Sequence, residues 1–545
     1  MEIMKSSLKL LASCASLRAL KQIHAHMFLN GLHDDNYVAV QLLSFCSREL
    51  REVGYARMIF NSLAHSANVF LWTAMITSYS NHQTGTMKEA FTIYKLMQQQ
   101  GPSPNKFTLS SVLKACSSLQ AVAEGNQIHA HAFKLGFLSS IYVQTALLDM
   151  YAKHGQVQKA RNIFDLSGEN VVACNAMISC YTKVRDMIAA REIFDKMSHK
   201  DGISWSVMIS GYAGSGNMLA ARELFHLMSE RGINSWNALV AGYTHNGEWY
   251  EAFKLFSFMC LECVKPNPAT MTILMSACGQ LGALKLAWQL HGYLWKHCIE
   301  KNVHVHNSLI DMYAKCGSLL EAHKVFSEMP IKDVVSFNVM IGGFANYGHG
   351  ENALELFSEM LEGGIQPDTF TFLGILSACC HSRLVDSGAK FFSCMKRDFG
   401  IEPSVDHCAC MVDLFGRAGY VEEAYDFVKA MHVAPHAGVW GALLNACRTY
   451  CDVKIGEIAA HELFRIEPWN PGNYVILSNI YARAHCWASV TKIRCFMRGR
   501  IVEKTSGSSW IQVNHEFHKF TMGEALHPQN EEIYGVLKNI YLQFL

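Results

Sequence analysis

The chain has 545 residues, with 47 Lys and Arg against 46 Asp and Glu, and a formal net charge of +1. Half of the residues are hydrophobic and only 17% are charged, which excludes an intrinsically disordered chain. The near-zero net charge excludes a globally basic nucleic-acid binder, although a local basic stripe stays open. No stretch approaches the roughly 18 uninterrupted apolar residues that a membrane helix needs.

The N-terminal segment and the cysteines bear on the compartment. The first twenty residues combine Lys5, Lys9 and Arg18 with several serines, as transit peptides do, but they also fit the repeat pattern that follows. The 19 cysteines are spread along the chain, mostly within apolar helical patterns. This distribution predicts small buried thiols in a reducing compartment rather than a disulfide framework.

A pattern recurs along most of the chain. Copies begin at residues 146, 176, 207, 238, 308, 339 and 410, and a longer variant begins at residues 111, 273 and 374. Within each unit, apolar residues fall at helical spacing in two segments, which a glycine or polar turn separates. Each unit therefore predicts a helix–turn–helix hairpin. A single hairpin cannot bury both faces, so the predicted fold is all-α, an α-solenoid of stacked hairpins.

Two further helical units begin near residues 437 and 470, after the last repeat of the array. The following segment, SGSSWIQVNHEFHKF at 506, alternates apolar and polar residues around Asn514 and His515. That alternation predicts a small β-hairpin near the C-terminus.

Together these patterns resemble the plant pentatricopeptide repeat family, in the class that alternates standard, long and short repeats. The most specific features are unit endings such as Ile365-Gln366-Pro367-Asp368 and the order short, standard, long over residues 303–404. The resemblance implies a repeat array of about 13 units at residues 1–436, two E-type repeats at 437–504 and an E-type extension at 505–545, without a deaminase domain.

Arrays of this family bind single-stranded RNA at one base per repeat, through two or three side chains. With position one placed directly after the residue that closes the preceding repeat, the resemblance implies that position five and the closing residue read the base. The six reader pairs are Thr73/Asn105, Thr145/Asn170, Asn175/Asp201, Asn237/Asn267, Asn307/Asp333 and Asn338/Asp368. Family correspondences imply adenine for Thr/Asn, uracil for Asn/Asp and a pyrimidine for Asn/Asn, and hence a footprint of A-n-A-U-n-Y-n-U-U.

An alternative explanation of these residues is that they are helix N-caps and turn formers. It accounts for the closing residues but not for position five, which lies inside a helix, where Asn is a poor choice. Several pairs leave their bases unassigned, either in long repeats or outside the code: Ser110/Ser140, Thr272/Asn302, Leu373/Ser404, Ser206/Gly232 and Ala409/His436.

Two more columns accompany the readers. Position two supplies apolar or aromatic faces that are suited to sandwiching bases between adjacent repeats, with ordinary core packing as the alternative: Phe70, Phe107, Tyr142, Val172, Ile203, Val335 and Phe370. Position thirteen supplies cations that form a candidate phosphate stripe, with solvated helix-end charges as the alternative: Lys153, Lys183, Lys315 and Arg417.

No catalytic site, metal site or cofactor is predicted. His349-Gly350-Glu351 and the pair Cys260 and Cys263 resemble parts of a zinc deaminase signature, but their order is reversed and both lie within repeats.

The resemblance implies an RNA-binding protein of a mitochondrion or chloroplast that recognises sites of C-to-U RNA editing. A separate cytidine deaminase and accessory proteins would dock on the C-terminal region, and no membrane partner is expected. Two alternatives stay open: a factor for RNA stabilisation, processing or splicing, and a protein-binding helical scaffold.

Overall fold

The computed structural model describes residues 10–11, 14, 16–32, 34–49, 52–63, 66–81, 87–119, 121–168, 170–297, 299, 302–499, 508–513, 516–521 and 527–543. The chain divides into two compact units, Met1–Ala277 and Cys278–Leu545. Within each unit, consecutive helices pair as hairpins, and each hairpin packs against the next along the sequence.

The helices alternate between the first and the second helix of a hairpin. The first helices are α2 (Asn36–Arg48), α4 (Val69–Asn81), α6 (Lys106–Leu119), α8 (Ile141–Lys153), α10 (Val171–Lys183), α12 (Gly202–Gly214), α14 (Ile233–His245), α16 (Pro268–Leu281), α18 (Val303–Lys315), α20 (Val334–Asn346), α22 (Thr369–Ser382), α24 (Val405–Ala418), α26 (Ala437–Tyr450) and α28 (Pro471–Arg483). The second helices are α1 (Leu17–Leu29), α3 (Val53–Leu63), α5 (Met87–Gln100), α7 (Val122–Lys134), α9 (Val157–Ser167), α11 (Met187–Lys196), α13 (Met218–Leu227), α15 (Trp249–Leu261), α17 (Leu284–Lys296), α19 (Leu319–Glu328), α21 (Gly350–Glu362), α23 (Val385–Arg397), α25 (Val421–Ala430), α27 (Val453–Ile466) and α29 (Trp487–Gly499). A short 3₁₀ turn, Phe137–Ser139, precedes α8.

The hairpin of α12 and α13 shows how the sequence sets these boundaries. Asp201 caps α12 by accepting from the Ser204 amide, and the Ser204 side chain returns a contact to the Asp201 amide, which forms a capping box. After α12, Gly216 takes a φ of 83°, which glycine adopts without steric penalty. Asn217 then caps α13 by accepting from the Ala220 amide.

A recurring aromatic contact joins four of the second helices, α3, α11, α13 and α19, to the first helix that follows. Edge-to-face pairs with ring centroids 4.8 to 5.1 Å apart form between Phe60 and Trp72, Phe194 and Trp205, Phe225 and Trp236, and Phe326 and Phe337. Such geometry suits the ring quadrupoles. Neighbouring hairpins therefore share one apolar layer within each unit, as the periodicity predicts.

Two strands and a helix follow α29. β1 (Ser508–Val513) pairs antiparallel with β2 (Glu516–Thr521), with Ser508 opposite Thr521 and Val513 opposite Glu516. The last helix is α30 (Asn530–Gln543). The predicted all-α solenoid with a small C-terminal β-hairpin is therefore confirmed, although the turn residues Asn514 and His515 lie outside the described part of the chain.

The cysteines agree with the prediction of buried thiols. The 18 that the structure describes form no disulfide bond, and ten of them are buried. Most belong to the apolar faces of first helices, as Cys116 of α6 and Cys447 of α26 do.

Candidate nucleic-acid interface

The first helices place the predicted readers in two neighbouring columns. Position five lies in the second turn of a first helix, and the closing residue is the N-cap of the next first helix, as Asn170, Asp201, Asp333 and Asp368 show. The capping explanation is thus correct for the closing residues, and their carbonyl or carboxylate oxygen Oδ1 accepts from backbone amides of the helix that they start.

Four of the six reader pairs are joined by a direct side-chain hydrogen bond. In each, the position-five Asn donates from Nδ2 to Oδ1 of the closing residue, 26 or 30 residues further along the chain. The distances are 3.1 Å for Asn175 to Asp201, 3.2 Å for Asn237 to Asn267, 3.2 Å for Asn307 to Asp333 and 3.0 Å for Asn338 to Asp368. The fold therefore brings together residues that capping alone would not require to meet.

The two Thr/Asn pairs are arranged differently. Thr73 Oγ1 lies 2.7 Å from Thr108 Oγ1, and the Thr108 hydroxyl donates to Asn105 Oδ1 at 3.1 Å, so this pair is linked through a third residue. Thr145 donates to the Ile141 carbonyl of its own helix at 2.7 Å. Its partner Asn170 accepts from the Val172 amide at 2.9 Å, so the structure shows no direct bond within this pair among the described residues.

In five of the six reader pairs, a serine or threonine three residues after the closing residue joins the network, and sequence reasoning missed it; the exception is Asn170, which Ala173 follows at that spacing. Thr371 Oγ1 lies 2.7 Å from Asn338 Oδ1 and 3.0 Å from Asp368 Oδ1, and Thr270 makes the same two contacts with its reader pair. The signal was present, because Asp or Asn followed three residues later by Ser or Thr resembles a capping box.

Where that residue is serine, the position-five amide is only half satisfied. Ser336 contacts Asp333 Oδ1 at 2.8 Å but not the amide oxygen of Asn307, which is buried without a hydrogen-bond partner in the described structure. Asn175 has the same orphaned Oδ1. A buried acceptor without a partner is costly unless a ligand satisfies it.

The closing carboxylates of Asp333 and Asp201 are ionised acceptors at neutral pH. Burial acts to raise the pKa of Asp333, but hydrogen bonds from Ser336 and Asn307 outweigh it, so that pKa lies below its usual value. The pKa of Asp201 is lowered in the same way. Since these donors converge on Oδ1, the second carboxylate oxygen keeps acceptor capacity for a ligand.

The position-two side chains form an exposed apolar column rather than core. All seven are between 44% and 69% exposed, from Phe107 at the low end to Phe370 at the high end. The rings of Phe107 and Tyr142 lie 5.1 Å apart, and Lys106 Nζ lies within 5.4 Å of both centroids. The core-packing alternative is therefore wrong for these residues, whereas their role in sandwiching bases stays a prediction.

The position-thirteen cations are not equivalent. Lys153, Lys315 and Arg417 each form an ion pair with an aspartate four residues earlier in the same helix, at 2.9, 2.7 and 2.9 Å. Lys183 has Ser179 at that place instead. Three of the four predicted phosphate ligands are therefore already paired with a carboxylate, as the i, i+4 spacing on a helix allows.

The described residues show neither a metal-binding cluster nor a membrane-spanning helix. No group of three or more His, Cys, Asp or Glu side chains in this part of the chain is placed to hold a metal ion. No described helix has both the length and the hydrophobicity needed to cross a membrane.

Stacked helical hairpins with in-register polar columns define a helical-repeat protein, and comparisons with known proteins give the family. Models of the PPR repeat family match residues 67–118, 233–280 and 332–381, and the PPR repeat matches residues 145–168, 172–201, 203–233, 304–334, 370–398 and 407–434. An E motif matches residues 450–512.

The chain is similar along nearly its whole length to curated proteins of Arabidopsis thaliana. A putative mitochondrial pentatricopeptide repeat-containing protein is 35% identical over 98% of this chain and 76% of its own length. A chloroplastic one is 34% identical over 98% of this chain and 82% of its own length. The chain therefore belongs to the pentatricopeptide repeat family, and the predicted organellar location, mitochondrion or chloroplast, is confirmed at that level.

One solved structure is similar to this chain at low sequence identity. The pentatricopeptide repeat protein PPR10 from maize is 16% identical, covers 92% of this chain and 94% of its own, and superposes with a TM-score of 0.34.

Proposed function

We propose that this protein binds single-stranded organellar RNA and reads the footprint A-n-A-U-n-Y-n-U-U, one base per repeat. The observation that carries the proposal is the recurrence of the Asn Nδ2 to Oδ1 hydrogen bond in four reader pairs. A peptide-binding scaffold has no need of this arrangement in register.

The chemistry of an Asn/Asp pair suits uracil. An ionised carboxylate can accept but cannot donate, and uracil presents the donor N3–H where cytosine presents an acceptor. The second hydrogen of the asparagine Nδ2 is available to a uracil carbonyl oxygen. The exposed apolar column beside the readers offers stacking faces, and stacking on an aromatic residue is worth about 1–3 kcal/mol per base.

The base-reading proposal is tested by exchanging one reader pair for another. Asn338→Thr combined with Asp368→Asn recreates the Thr73/Asn105 arrangement, because Thr371 occupies the place of Thr108. Preference at the ninth base should move from U to A. A hydrogen bond to a charged group is worth about 1.5–3 kcal/mol, which corresponds to roughly tenfold or more in affinity.

The binding assay compares an oligonucleotide that carries the footprint, a shuffled sequence and a U-to-A substitution at the ninth base, all at one salt concentration. The reciprocal exchange, Thr73→Asn with Asn105→Asp, is the matched control and should change only the first base, from A to U. Equal binding of the footprint and the shuffled RNA, or binding of neither, would refute base reading and favour a protein scaffold.

We also propose that the protein is a recognition factor for C-to-U editing, with the cytidine deaminase and accessory proteins supplied in trans. The E motif at residues 450–512 supports recruitment through the C-terminal region, which on this proposal places the target cytidine a few nucleotides 3′ of the footprint. Plants that lack the protein should lose editing at such a site, and the wild-type gene should restore it. The Asn338→Thr, Asp368→Asn variant should not.

Transcript sequencing distinguishes this role from its alternative. If the bound transcript changes in abundance, processing or splicing while every cytidine is edited normally, the protein is a stabilisation, processing or splicing factor.

A further inference from the structure

Two adjacent repeats carry the same reader pair. Asn307/Asp333 is assigned to the eighth base of the footprint and Asn338/Asp368 to the ninth. In both, the asparagine Nδ2 donates to the aspartate Oδ1, at 3.2 Å in the eighth pair and 3.0 Å in the ninth. The pairs differ in the hydroxyl residue at position three of the following repeat, which is serine beside the eighth pair and threonine beside the ninth. The chain therefore holds one kind of reader pair in two different surroundings.

The threonine holds the ninth asparagine at both ends of its amide. Thr371 Oγ1 lies 2.7 Å from Asn338 Oδ1 and 3.0 Å from Asp368 Oδ1, and it accepts from the Asp368 amide at 3.0 Å. A hydroxyl has one hydrogen, and the shorter contact directs it to the asparagine oxygen. Thr270 holds Asn237 in the same way, at 2.7 Å. Such an asparagine presents to a base only its second Nδ2 hydrogen, which is a donor, and no acceptor.

The serine leaves the eighth asparagine held at one end. Ser336 Oγ lies 2.8 Å from Asp333 Oδ1, and Asn307 Oδ1 has no hydrogen-bond partner among the described residues, although Asn307 is only 6% exposed. The fourth base has the same arrangement, with Ser204 Oγ 2.8 Å from the carboxylate and an orphaned amide oxygen on Asn175. Because β-branching restricts the rotation of threonine about χ1 but not that of serine, the serine hydroxyl is free to turn to the charged carboxylate.

An amide that is held by its nitrogen alone can turn, since the χ2 rotation of asparagine is broad. In the eighth pair, turning breaks one hydrogen bond to Asp333 Oδ1, which keeps those from the Ser336 amide and hydroxyl, each at 2.8 Å. It also brings the orphaned Asn307 Oδ1 to a base that carries a donor. The exocyclic amino group of cytosine is such a donor, where uracil has a carbonyl oxygen. In the ninth pair the same turn breaks two hydrogen bonds, one at each end of the amide.

We propose that the residue at position three is a positioning residue that sets how strictly an Asn/Asp pair distinguishes uracil from cytosine. Threonine enforces uracil, whereas serine lets the asparagine turn to cytosine. The ninth base is then read strictly as U, and the fourth and eighth bases accept either pyrimidine. The inference rests on the proposed RNA-binding function and changes its footprint to A-n-A-Y-n-Y-n-Y-U.

The test exchanges the two position-three residues in the full chain. Binding is measured at one salt concentration with the footprint oligonucleotide and with two others, which carry cytosine at the eighth or at the ninth base. Thr371→Ser should reduce the preference for uracil over cytosine at the ninth base by about two- to tenfold, the net value of one hydrogen bond. Ser336→Thr should raise the preference for uracil at the eighth base by a similar factor. Each variant should leave the preference at the other base unchanged.

Each variant is compared with the wild type at the same base, so the different position-two residues of the two repeats, His304 and Val335, do not enter the comparison. A purely structural effect would change the affinity for both RNAs by one factor and leave their ratio unchanged. Ser235→Thr is the matched control, because Ser235 is also buried at position three but follows Gly232, and its hydroxyl donates to the Gly232 carbonyl at 2.7 Å. This control should change the preference at neither base.

Thr371→Ser only removes atoms, so it decides the test even where the added methyl group of Ser336→Thr destabilises the chain. An unchanged ratio at the ninth base in Thr371→Ser, with a urea midpoint that shows a folded chain, overturns the inference. An equal change of the ratio in Ser235→Thr also overturns it. If Asn338→Thr with Asp368→Asn moves the ninth base from U to A while Thr371→Ser leaves the ratio unchanged, this inference fails and base reading stands. Equal binding of the footprint and a shuffled RNA shows instead that base reading itself fails.

Discussion

The spacing of neighbouring first helices depends on glycine at a few positions, and Gly242 gives the sharpest test. It lies in α14, where an added Cβ would stand 2.5 Å from the Ala213 Cβ of α12. Carbon atoms in contact are normally about 3.5–4.0 Å apart. The Ala213 methyl cannot turn aside, so Gly242→Ala must move the two helices apart by about 1 Å to restore normal contact.

The expected magnitude follows from two opposed effects. Replacing glycine by alanine within a helix gains about 0.8–1 kcal/mol. Overpacking of a tight contact costs about 1–3 kcal/mol. The net effect of Gly242→Ala on the free energy of unfolding is a destabilisation of up to about 2 kcal/mol. The destabilisation is greatest if the two helices cannot move apart.

Gly342→Ala is the matched control, because Gly342 also lies within a first helix, α20, but nothing stands within 4 Å of an added Cβ. It should stabilise the protein by about 1 kcal/mol. Urea unfolding followed by circular dichroism compares the two variants. Since repeat arrays need not unfold in one step, hydrogen exchange of the amides of α12 and α14 provides the local measurement. Equal stability of the two variants would refute the inference that α12 and α14 are in closest packing at Gly242.

Three further predictions test the reader network, the thiols and the titration of the caps. Asp368→Ala should lose the N-cap of α22 and destabilise the protein by about 1 kcal/mol, whereas Asp368→Asn should retain the cap. Hydrogen exchange of the Thr371 amide, which donates to Asp368, should therefore be faster in Asp368→Ala than in Asp368→Asn. Equal protection of this amide in the two variants would contradict the capping role. Burial raises the pKa of the Cys116 thiol to about 12. Iodoacetamide at pH 8 should therefore label exposed Cys263 much faster than Cys116 in the native chain, as measured by mass spectrometry. Equal labelling of the two cysteines would argue against the packing of α6. The native pKa of Asp333 is lowered, so its charge stabilises the folded state above the unfolded pKa of about 3.9, and this stabilisation is lost as the pH falls through the native pKa. The urea midpoint of the wild type should therefore fall relative to that of Asp333→Asn on acidification below about pH 5. Parallel pH profiles of the two proteins would contradict this.

Local sequence patterns were sufficient to predict the repeat architecture. The 3.6-residue periodicity, the glycine turns and the capping residues are all short-range signals, and each recurs often enough along the chain to confirm the others. The alternation around the two strands predicted the β-hairpin in the same way. The division of the chain at residues 436 and 504 into array, E-type repeats and extension stays a prediction.

The site was predicted only in part, because its contacts join residues that are far apart in the sequence. The columns of position five and of closing residues follow from the register of the repeats. Whether they touch does not, since Asn338 and Asp368 are 30 residues apart and meet only because α20 and α22 pack side by side. The ion pairs of Lys153 and Lys315 are predictable from the i, i+4 spacing of Asp149 and Asp311, but not from position thirteen alone.

The sequence by itself determined a row of helical hairpins with short polar residues in two columns, because helix periodicity, turns and caps depend on neighbours within a few residues. Only the tertiary structure decided that the position-two residues are exposed, because an apolar residue on a helix is buried or not according to what packs over it.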